Sequence, residues 1–312
     1  MASKYVVLTY HRVRPHRDEL IPGMCDVARF ASQLAVMKRW FNVLPLSEAI
    51  ERSSAGTLPP RTVCITFDDG YRDNVDIALP MLVDAGLHAT FFIATGYLND
   101  GIMWNDQVIH AVRHRGEGAW DLDDIGLGPR QITDMASRRA LFDEIITHLK
   151  HREPGDRAAA ARRLYQASEG PRERLMMTDE ELVTLHRAGM AIGGHTVTHP
   201  ILTRLSADAA RDELSDGRAR LQSLTGDAVP LFAYPNGKAD QDYDASHAAL
   251  ARELGFDAAL STVWGHADAA SPRYELPRVG LEWESGWRFG VKLYRCFYEA
   301  QGQRARALPA AA

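Results

Sequence analysis

Two short runs of residues concentrate the chemistry of this chain. The first is Thr66-Phe67-Asp68-Asp69-Gly70. Two adjacent carboxylates follow directly on an apolar, β-rich run, where aspartate is otherwise depleted. Side by side they repel unless a cation or a shared proton neutralises them. One of the pair can bind a metal ion while its neighbour faces a water beside that ion. Taken alone, the run also reads as a solvated Asp-Gly turn. The second is His195-Thr196-Val197-Thr198-His199, again after a short apolar run, Met190–Gly194. Histidines at i and i+4 lie on one face of a helical turn and can share a metal. Gly193 and Gly194 allow the backbone to come close to such a site. Taken alone, the pair also reads as two histidines capping a turn. Together, Asp69, His195 and His199 offer one oxygen and two nitrogens. Three protein ligands with one open position is the pattern of a catalytic zinc site, not of a closed structural one. Such an ion acidifies water and polarises a carbonyl, with Asp68 as general base. The third run, Phe232-Ala233-Tyr234-Pro235-Asn236-Gly237, is a turn whose exposed backbone N–H groups suit an oxyanion, or simply an ordinary strand-to-helix turn.

These groups need a frame that brings them to one edge. Apolar runs at Tyr5–Tyr10, Thr62–Phe67, Thr90–Ala94, Met190–Gly194, Val229–Tyr234, Asp257–Thr262 and Glu275–Leu281 read as strands. Most are almost continuously apolar, as in a parallel sheet covered on both faces. Helical patterns lie between them. Val27–Trp40 has helical spacing, and Asn74–Ala85 stops at Gly86 with a kink expected at Pro80. Thr178–Glu181 forms a capping box for a helix through Ala188, Ser206 caps a helix to Leu224 before Gly226, and Tyr243–Leu254 stops at Gly255. Alternating strands and helices predict an α/β barrel or an open doubly wound sheet. In a barrel, the catalytic groups project from the C-terminal ends of the strands. No GxGxxG or Walker A pattern follows a strand, which weakens the nucleotide-binding form of the open sheet.

The whole chain, 1–312, reads as one domain with a mostly helical insertion at 97–174, broken at Gly116–Gly118, Gly126–Pro129 and Pro154–Asp156. The insertion reads as an outer packing layer or as a wall over the substrate groove. Trp104 near its start suits stacking on a sugar ring or packing. The end, 302–312, reads as a flexible tail. A net charge of −5 gives no general attraction to nucleic acid or to an anionic membrane. The basic stretch Arg152–Arg163 is interrupted by acids and reads as a solvated helix face. Cys25, Cys64 and Cys296 lack metal or redox spacing, and an odd, sparse set suits a reducing compartment. The first strand is too short for a signal sequence and no apolar run spans a membrane, so the expected location is the cytoplasm. Oligomeric state is not legible.

The runs Thr-Phe-Asp-Asp-Gly and His-Thr-x-x-His, in this order and each after a strand, resemble the polysaccharide deacetylase family (the NodB-homology deacetylases, carbohydrate esterase family 4). The resemblance covers roughly Tyr5 to Leu281 apart from the insertion. It implies a distorted (β/α)₇ barrel and hydrolysis of the N-acetyl groups of an N-acetylated glycan or sugar precursor. It implies Asp68 as catalytic base, Asp69, His195 and His199 as ligands of a divalent metal (zinc, or else cobalt or nickel), Thr196 as a brace of the loop, and the Asn236 N–H as oxyanion donor. Two positions depart from the family pattern. Ala233 stands where the family usually has arginine, and the form Phe-Ala-Tyr-Pro-x-Gly is similar to the branch acting on bacterial exopolysaccharides and surface glycans. Leu276-Pro277-Arg278 stands where the family has Leu-x-His with its catalytic acid. The aspartate that partners the absent arginine has only a loose counterpart in Asp268. Arg278 is accordingly expected to supply positive charge near Asp68, and His11, after the first strand, to act as the acid unless it is bonded within its own loop, with Asp68 itself, after accepting the proton, as the other candidate. The alternatives are an amidohydrolase of the same fold acting on a small non-peptide amide, and a silent glycan-binding module. No nucleic acid partner is expected.

Overall fold

The computed structural model describes residues 4–299, so the tail at 302–312 lies outside the described residues. In chain order, β1 (Tyr5–Tyr10) leads through a long loop to α1 (Val27–Trp40), then β2 (Asn42–Val43), α2 (Leu46–Ser54) and β3 (Thr62–Phe67). A π-turn at Asn74–Ala78 runs into α3 (Leu79–Ala85), followed by β4 (Ala89–Ile93). After β4 come α4 (Trp104–His114), β5 (Gly118–Trp120), β6 (Arg130–Ile132), α5 (Met135–Lys150), α6 (Pro154–Gln166) and α7 (Asp179–Arg187). The rest is β7 (Ala191–Gly194), α8 (Ala207–Thr225), β8 (Leu231–Ala233), α9 (Ala245–Glu253), β9 (Ala258–Leu260), β10 (Val279–Gly280) and α10 (Gly286–Cys296).

The main sheet is parallel, in the order β10-β1-β3-β4-β7-β8-β9, with the short β2 beside β3. The segment before β10 curls the sheet toward closure: Leu276 bridges to Leu260 of β9, while Val279 and Gly280 pair with Leu8 and Thr9 of β1. This is the distorted (β/α)₇ barrel. Alternation along each strand divides the core. Tyr5, Val7, Cys64, Phe92, Leu231, Ala233, Ala258 and Leu260 pack together inside the curl. Val6, Leu8, Tyr10, Val63, Ile65, Phe67, Phe91, Ile93 and Phe232 pack outward under the helices. Strands buried on both faces explain the unbroken apolar runs.

Local chemistry sets the boundaries. Thr178 and Glu181 form the expected capping box, the Ser206 hydroxyl accepts from the Ala209 N–H, and Gly86, Gly226 and Gly255 end their helices in left-handed conformations. The kink at Pro80 takes the form of the π-turn ahead of α3, because proline gives no N–H to an i−4 carbonyl. Four strands, β7 to β10, are shorter than their apolar runs. Pro230 delays β8, and Pro277, with no N–H to give, separates the Leu276 bridge to β9 from the pairing of Val279 with β1.

The stretch between β4 and β7 carries its own hydrophobic cluster, built on Val108, Phe142, Ile145 and Leu164. It is not helical throughout: the glycine breaks shape an antiparallel β5–β6 hairpin, and Pro154 starts α6 instead of interrupting a helix. Trp104 is partly buried in this cluster with the Arg157 guanidinium 5.1 Å from its ring centre, a packing position. No described helix is long and apolar enough to cross a membrane. The three cysteines are free and buried.

Candidate active site

Register brings the chemistry to one rim. Tyr10 of β1 pairs with Phe67 of β3, so the next residues, His11 and Asp68, emerge side by side, and the Asp68 N–H donates to the Tyr10 carbonyl at 2.9 Å. Ile93 of β4 pairs with Gly194 of β7, and the His195 N–H donates to the Ile93 carbonyl at 3.1 Å.

Asp69, His195 and His199 converge. Asp69 Oδ1 lies 3.6 Å from His195 Nε2 and 3.5 Å from His199 Nε2. The three ligand atoms all fall within 4.8 Å of one another. His195 Nδ1 is 2.6 Å from the Ala233 carbonyl, which fixes the ring and leaves Nε2 to face Asp69. Burial pushes the His195 imidazole down to about 4 and His199 well below its ordinary range, so both are neutral, as ligands must be. Asp69 is driven the other way, to about 7, by burial and then by Asp68 and Asp106, against the pull of His11. Its Oδ1 is buried with no hydrogen-bond donor. A buried carboxylate oxygen without a hydrogen-bond partner, facing the Nε2 atoms of two neutral imidazoles, is a donor set that a divalent cation fits.

The histidine pair does not sit on a helical turn. Residues 195–199 are an irregular loop in which Thr196 and His199 adopt positive φ, 66° and 52°. The convergence comes instead from contacts around the loop, the Thr196 brace that the resemblance implied and others the sequence did not reveal. The His199 N–H donates to Thr196 Oγ1, and Glu213 of α8 accepts from the Val197 and Thr198 N–H groups and the Thr198 hydroxyl. Gly96 lies behind the loop, donating to the Val197 carbonyl at 2.7 Å, and a Cβ there would fall 2.7 Å from that oxygen. Gly217 of α8 presses on Thr196 from the other side. Asp69 (φ 78°) and Asn236 (φ 59°) are also left-handed. Non-glycine residues held in that region carry strain, which collects here around the candidate ligands.

Asp68 is held by Arg278. The guanidinium Nη1 donates to Asp68 Oδ1 at 2.7 Å, Nε donates to the Ser261 carbonyl at 3.0 Å, and the group sits 5.7 Å from the centre of the Phe92 ring. Arg278 is only 2% exposed, a cation filling the barrel interior below the rim. Burial raises the Asp68 carboxyl, but Arg278, with help from His195, overrides it and holds the group at about 2. Gly193 serves this arrangement: a Cβ there would lie 2.4 Å from the Phe92 ring.

His11 is paired with Glu282, which follows β10. The His11 N–H donates to Glu282 Oε1 at 2.6 Å, and Nδ1 lies 3.4 Å from the same oxygen. Burial works against the charged ring, but Glu282, and more weakly Asp69 and Asp68, raise it to about 9. At neutral pH this ring carries a proton. Glu282 was overlooked in the sequence, although an acid directly after an apolar run is the signal that marked Asp68. Asn236 lies in the loop after β8, its carbonyl held by the Thr262 hydroxyl at 2.8 Å, and its N–H has no acceptor among the described residues. Asp268 is not part of the site. It caps the turn at Ala270 and Ser271, next to Ala267, which pairs with the first residue of β1 at the opposite end of the barrel.

The segment between β4 and β7 meets this rim. The Tyr71 hydroxyl, two residues after Asp69, donates to the buried Asp106 of α4 at 3.0 Å, and Arg113 pairs with Asp18 of the loop after β1 at 2.6 Å.

The family model for polysaccharide deacetylases matches residues 55–143 and 155–259, more than half of the chain. YxkH of Bacillus subtilis (strain 168), which carries the same family name, is 21% identical over 232 residues. That match covers 74% of this chain, and the chain spans only 56% of the length of YxkH. Among solved structures, the Streptococcus pyogenes deacetylase PplD, in complex with acetate, superposes with a TM-score of 0.63 at 20% identity, covering 94% of this chain and 99% of that one. IcaB from Ammonifex degensii superposes with a TM-score of 0.57 at 18% identity, covering 94% and 96%. At these identities the likeness establishes the fold.

Proposed function

The chain belongs to the polysaccharide deacetylase family, whose members are hydrolases of carbon–nitrogen bonds other than peptide bonds, and we propose that it removes N-acetyl groups from an N-acetylated glycan or sugar precursor. One observation carries this reading: the buried, donorless Asp69 Oδ1 faces two neutral imidazole nitrogens beside an Asp68 that Arg278 keeps ionised. PplD, named as a deacetylase and solved with acetate, is consistent with it.

Asp69, His195 and His199 would hold a divalent cation. One oxygen and two nitrogens suit zinc first, with cobalt and nickel as alternatives. When bound, that cation supplies Lewis-acid polarisation of the acetamide carbonyl and acidifies water next to it. Asp68 receives the proton at Oδ2, since Oδ1 is committed to Arg278. The Arg278 contact keeps Asp68 charged at every working pH but lowers its basicity, so Arg278 sets a compromise between availability and strength. The Asn236 N–H steadies the negative charge that develops on the acyl oxygen. His11, protonated through Glu282, delivers a proton to the departing amine nitrogen. Acetate and a free amino sugar result.

The test is acetate release from a panel of N-acetylated glycans, nucleotide sugars and lipid-linked precursors, with zinc, cobalt or nickel added to chelated protein. Release that requires the metal and disappears in Asp68→Asn supports the reading. Fully loaded protein that frees no acetate from any of them, yet hydrolyses a small cyclic amide, would replace it with the small-amide alternative.

A further inference from the structure

Large apolar side chains are seldom left in solvent, and here they are not scattered. Of the six strongly exposed ones among the described residues, five lie on or beside α10: Trp40 (53% exposed), Trp287 (73%), Val291 (49%), Tyr294 (46%) and Tyr298 (71%). Trp287, Val291, Tyr294 and Tyr298 follow i, i+4, i+7, i+11 spacing and so form one stripe. The opposite face of α10, Phe289, Leu293 and Cys296, is buried against the barrel. Trp40 joins the patch because α1 and α10 run side by side. Ser32 Oγ accepts from the Gly286 N–H, a Cβ on Gly290 would lie 3.0 Å from Val36, and Phe41 stacks on Phe297 at 6.3 Å.

Among the described residues around the stripe, the charges left without an ion-pair partner are positive. The local acids are committed: Glu284 to Lys292, and Glu299 to Arg295 and the Trp264 indole N–H. Lys38, Arg39 and Arg288 are exposed and have no carboxylate partner among the described residues. The Arg39 and Arg288 guanidinium groups sit over Trp40 and Trp287 at 5.3 and 5.8 Å.

We propose that this flank, α10 with the end of α1, docks on the surface of an anionic lipid bilayer. Tryptophan and tyrosine favour the boundary between headgroups and acyl chains, and a helix with an apolar stripe beside unpaired cations lies in that plane. An acidic protein would satisfy the cations, but exposed Trp and Tyr over a flat stripe match the lipid boundary better. The overall charge of −5 does not oppose this, because screening leaves only the local patch to act at the surface. Trp287 lies five residues beyond Glu282, which contacts His11, so docking would hold the site mouth beside the bilayer.

The experiment is flotation of the full chain with vesicles of phosphatidylcholine alone or of equimolar phosphatidylcholine and phosphatidylglycerol. Binding to the anionic vesicles that weakens with salt is expected. Each cation is worth about fivefold in partitioning, so Arg39→Glu with Arg288→Glu should reduce binding at least about 25-fold. Trp287→Ser with Tyr298→Ser should also abolish it, with thermal unfolding and acetate release from a soluble substrate unchanged. No flotation with anionic vesicles at low salt overturns the proposal, as does binding indifferent to both double variants. Wild-type chain that ignores vesicles but self-associates in sedimentation, with the aromatic variant monomeric, assigns the stripe to a second copy instead.

Discussion

Replacing Arg278 by methionine tests the electrostatic centre of the site. The change keeps much of the apolar volume and removes the guanidinium that donates to Asp68 at 2.7 Å. Asp68 lies at about 2 instead of its ordinary 3.8, and at 1.36 kcal/mol per unit that shift corresponds to about 2 kcal/mol of stabilisation. A depressed carboxylate stabilises the fold above its ordinary value, and the contribution is lost as the pH falls through about 2. Removing Arg278 takes away the largest opposing influence and leaves burial, which raises the carboxyl, countered only by His195 and His11. The variant is therefore destabilised most at neutral pH, by about 3 kcal/mol for a broken buried pair, or roughly 6 °C in a chain of this size. As the pH is lowered, Asp68 takes up a proton and part of that loss is recovered. The assay is thermal unfolding of chelated protein between pH 5 and 8 in a cycle of wild type, Asp68→Asn, Arg278→Met and the double variant. A coupling of about 2 kcal/mol or more is expected. In the loaded enzyme the acidic limb of kcat/KM moves upward. Additive effects with no pH dependence would refute the pairing as the source of the Asp68 charge.

Asp68→Asn should lower kcat by about 10²–10⁴-fold while metal content, read by elemental analysis, stays at the wild-type level. His195→Ala and His199→Ala should each lose metal, and a double variant that keeps a full complement would remove these residues from the ligand set. Glu282→Gln withdraws the carboxylate that raises His11 to about 9, so the alkaline limb of kcat should move down toward the ordinary histidine range, whereas an unmoved limb excludes His11 as the acid. The raised His11 also stabilises the fold below its ordinary value of 6.5, and this contribution disappears as the pH rises through about 9. Glu213→Gln should weaken metal affinity about 10-fold with unfolding temperature little changed, since Glu213 acts on the loop of His195 and His199 and not on the ion.

Much of the frame was legible because its signals are local. The apolar runs of β1 and β3 match the strands residue for residue, and Val27–Trp40 matches α1. The capping box at Thr178, the Ser206 cap and the glycine stops are side-chain-to-backbone contacts within a few residues, which sequence spacing encodes directly. Helix α10 was missed. Its buried stripe of Phe289, Leu293 and Cys296 lies opposite Trp287, Val291, Tyr294 and Tyr298, so apolar residues on both faces blur the pattern. The β5–β6 hairpin was missed because its three-residue strands are too short for alternation to register. At the site, residue types and order exposed the pair of aspartates and the pair of histidines. They could not show Glu213, Gly96 or Gly217, whose roles arise only when α8 and β4 pack against the histidine loop.

The relocation of the positive charge joins these two levels. With alanine at 233, β8 places no charged side chain beside Asp68, and Ala233 gives its carbonyl to His195 Nδ1 instead. The cation arrives from Arg278, ahead of β10, where the chain crosses between β9 and β1 to curl the sheet toward closure. Arg278 Nε is anchored on the Ser261 carbonyl just past β9, and its guanidinium lies across Phe92 from β4. One buried arginine thus ties the closing segment to the base, so the geometry of closure and the charge state of Asp68 are coupled. A sequence comparison that scores each motif position separately counts two losses here, an arginine and a histidine. The structure instead places Arg278 beside Asp68 and, separately, pairs His11 with Glu282, whose carboxylate raises the imidazole. If that substitution is functional, Ala233→Arg in the wild-type background should fail to improve kcat and should lower stability, because a second guanidinium in the buried interior finds Asp68 Oδ1 already occupied.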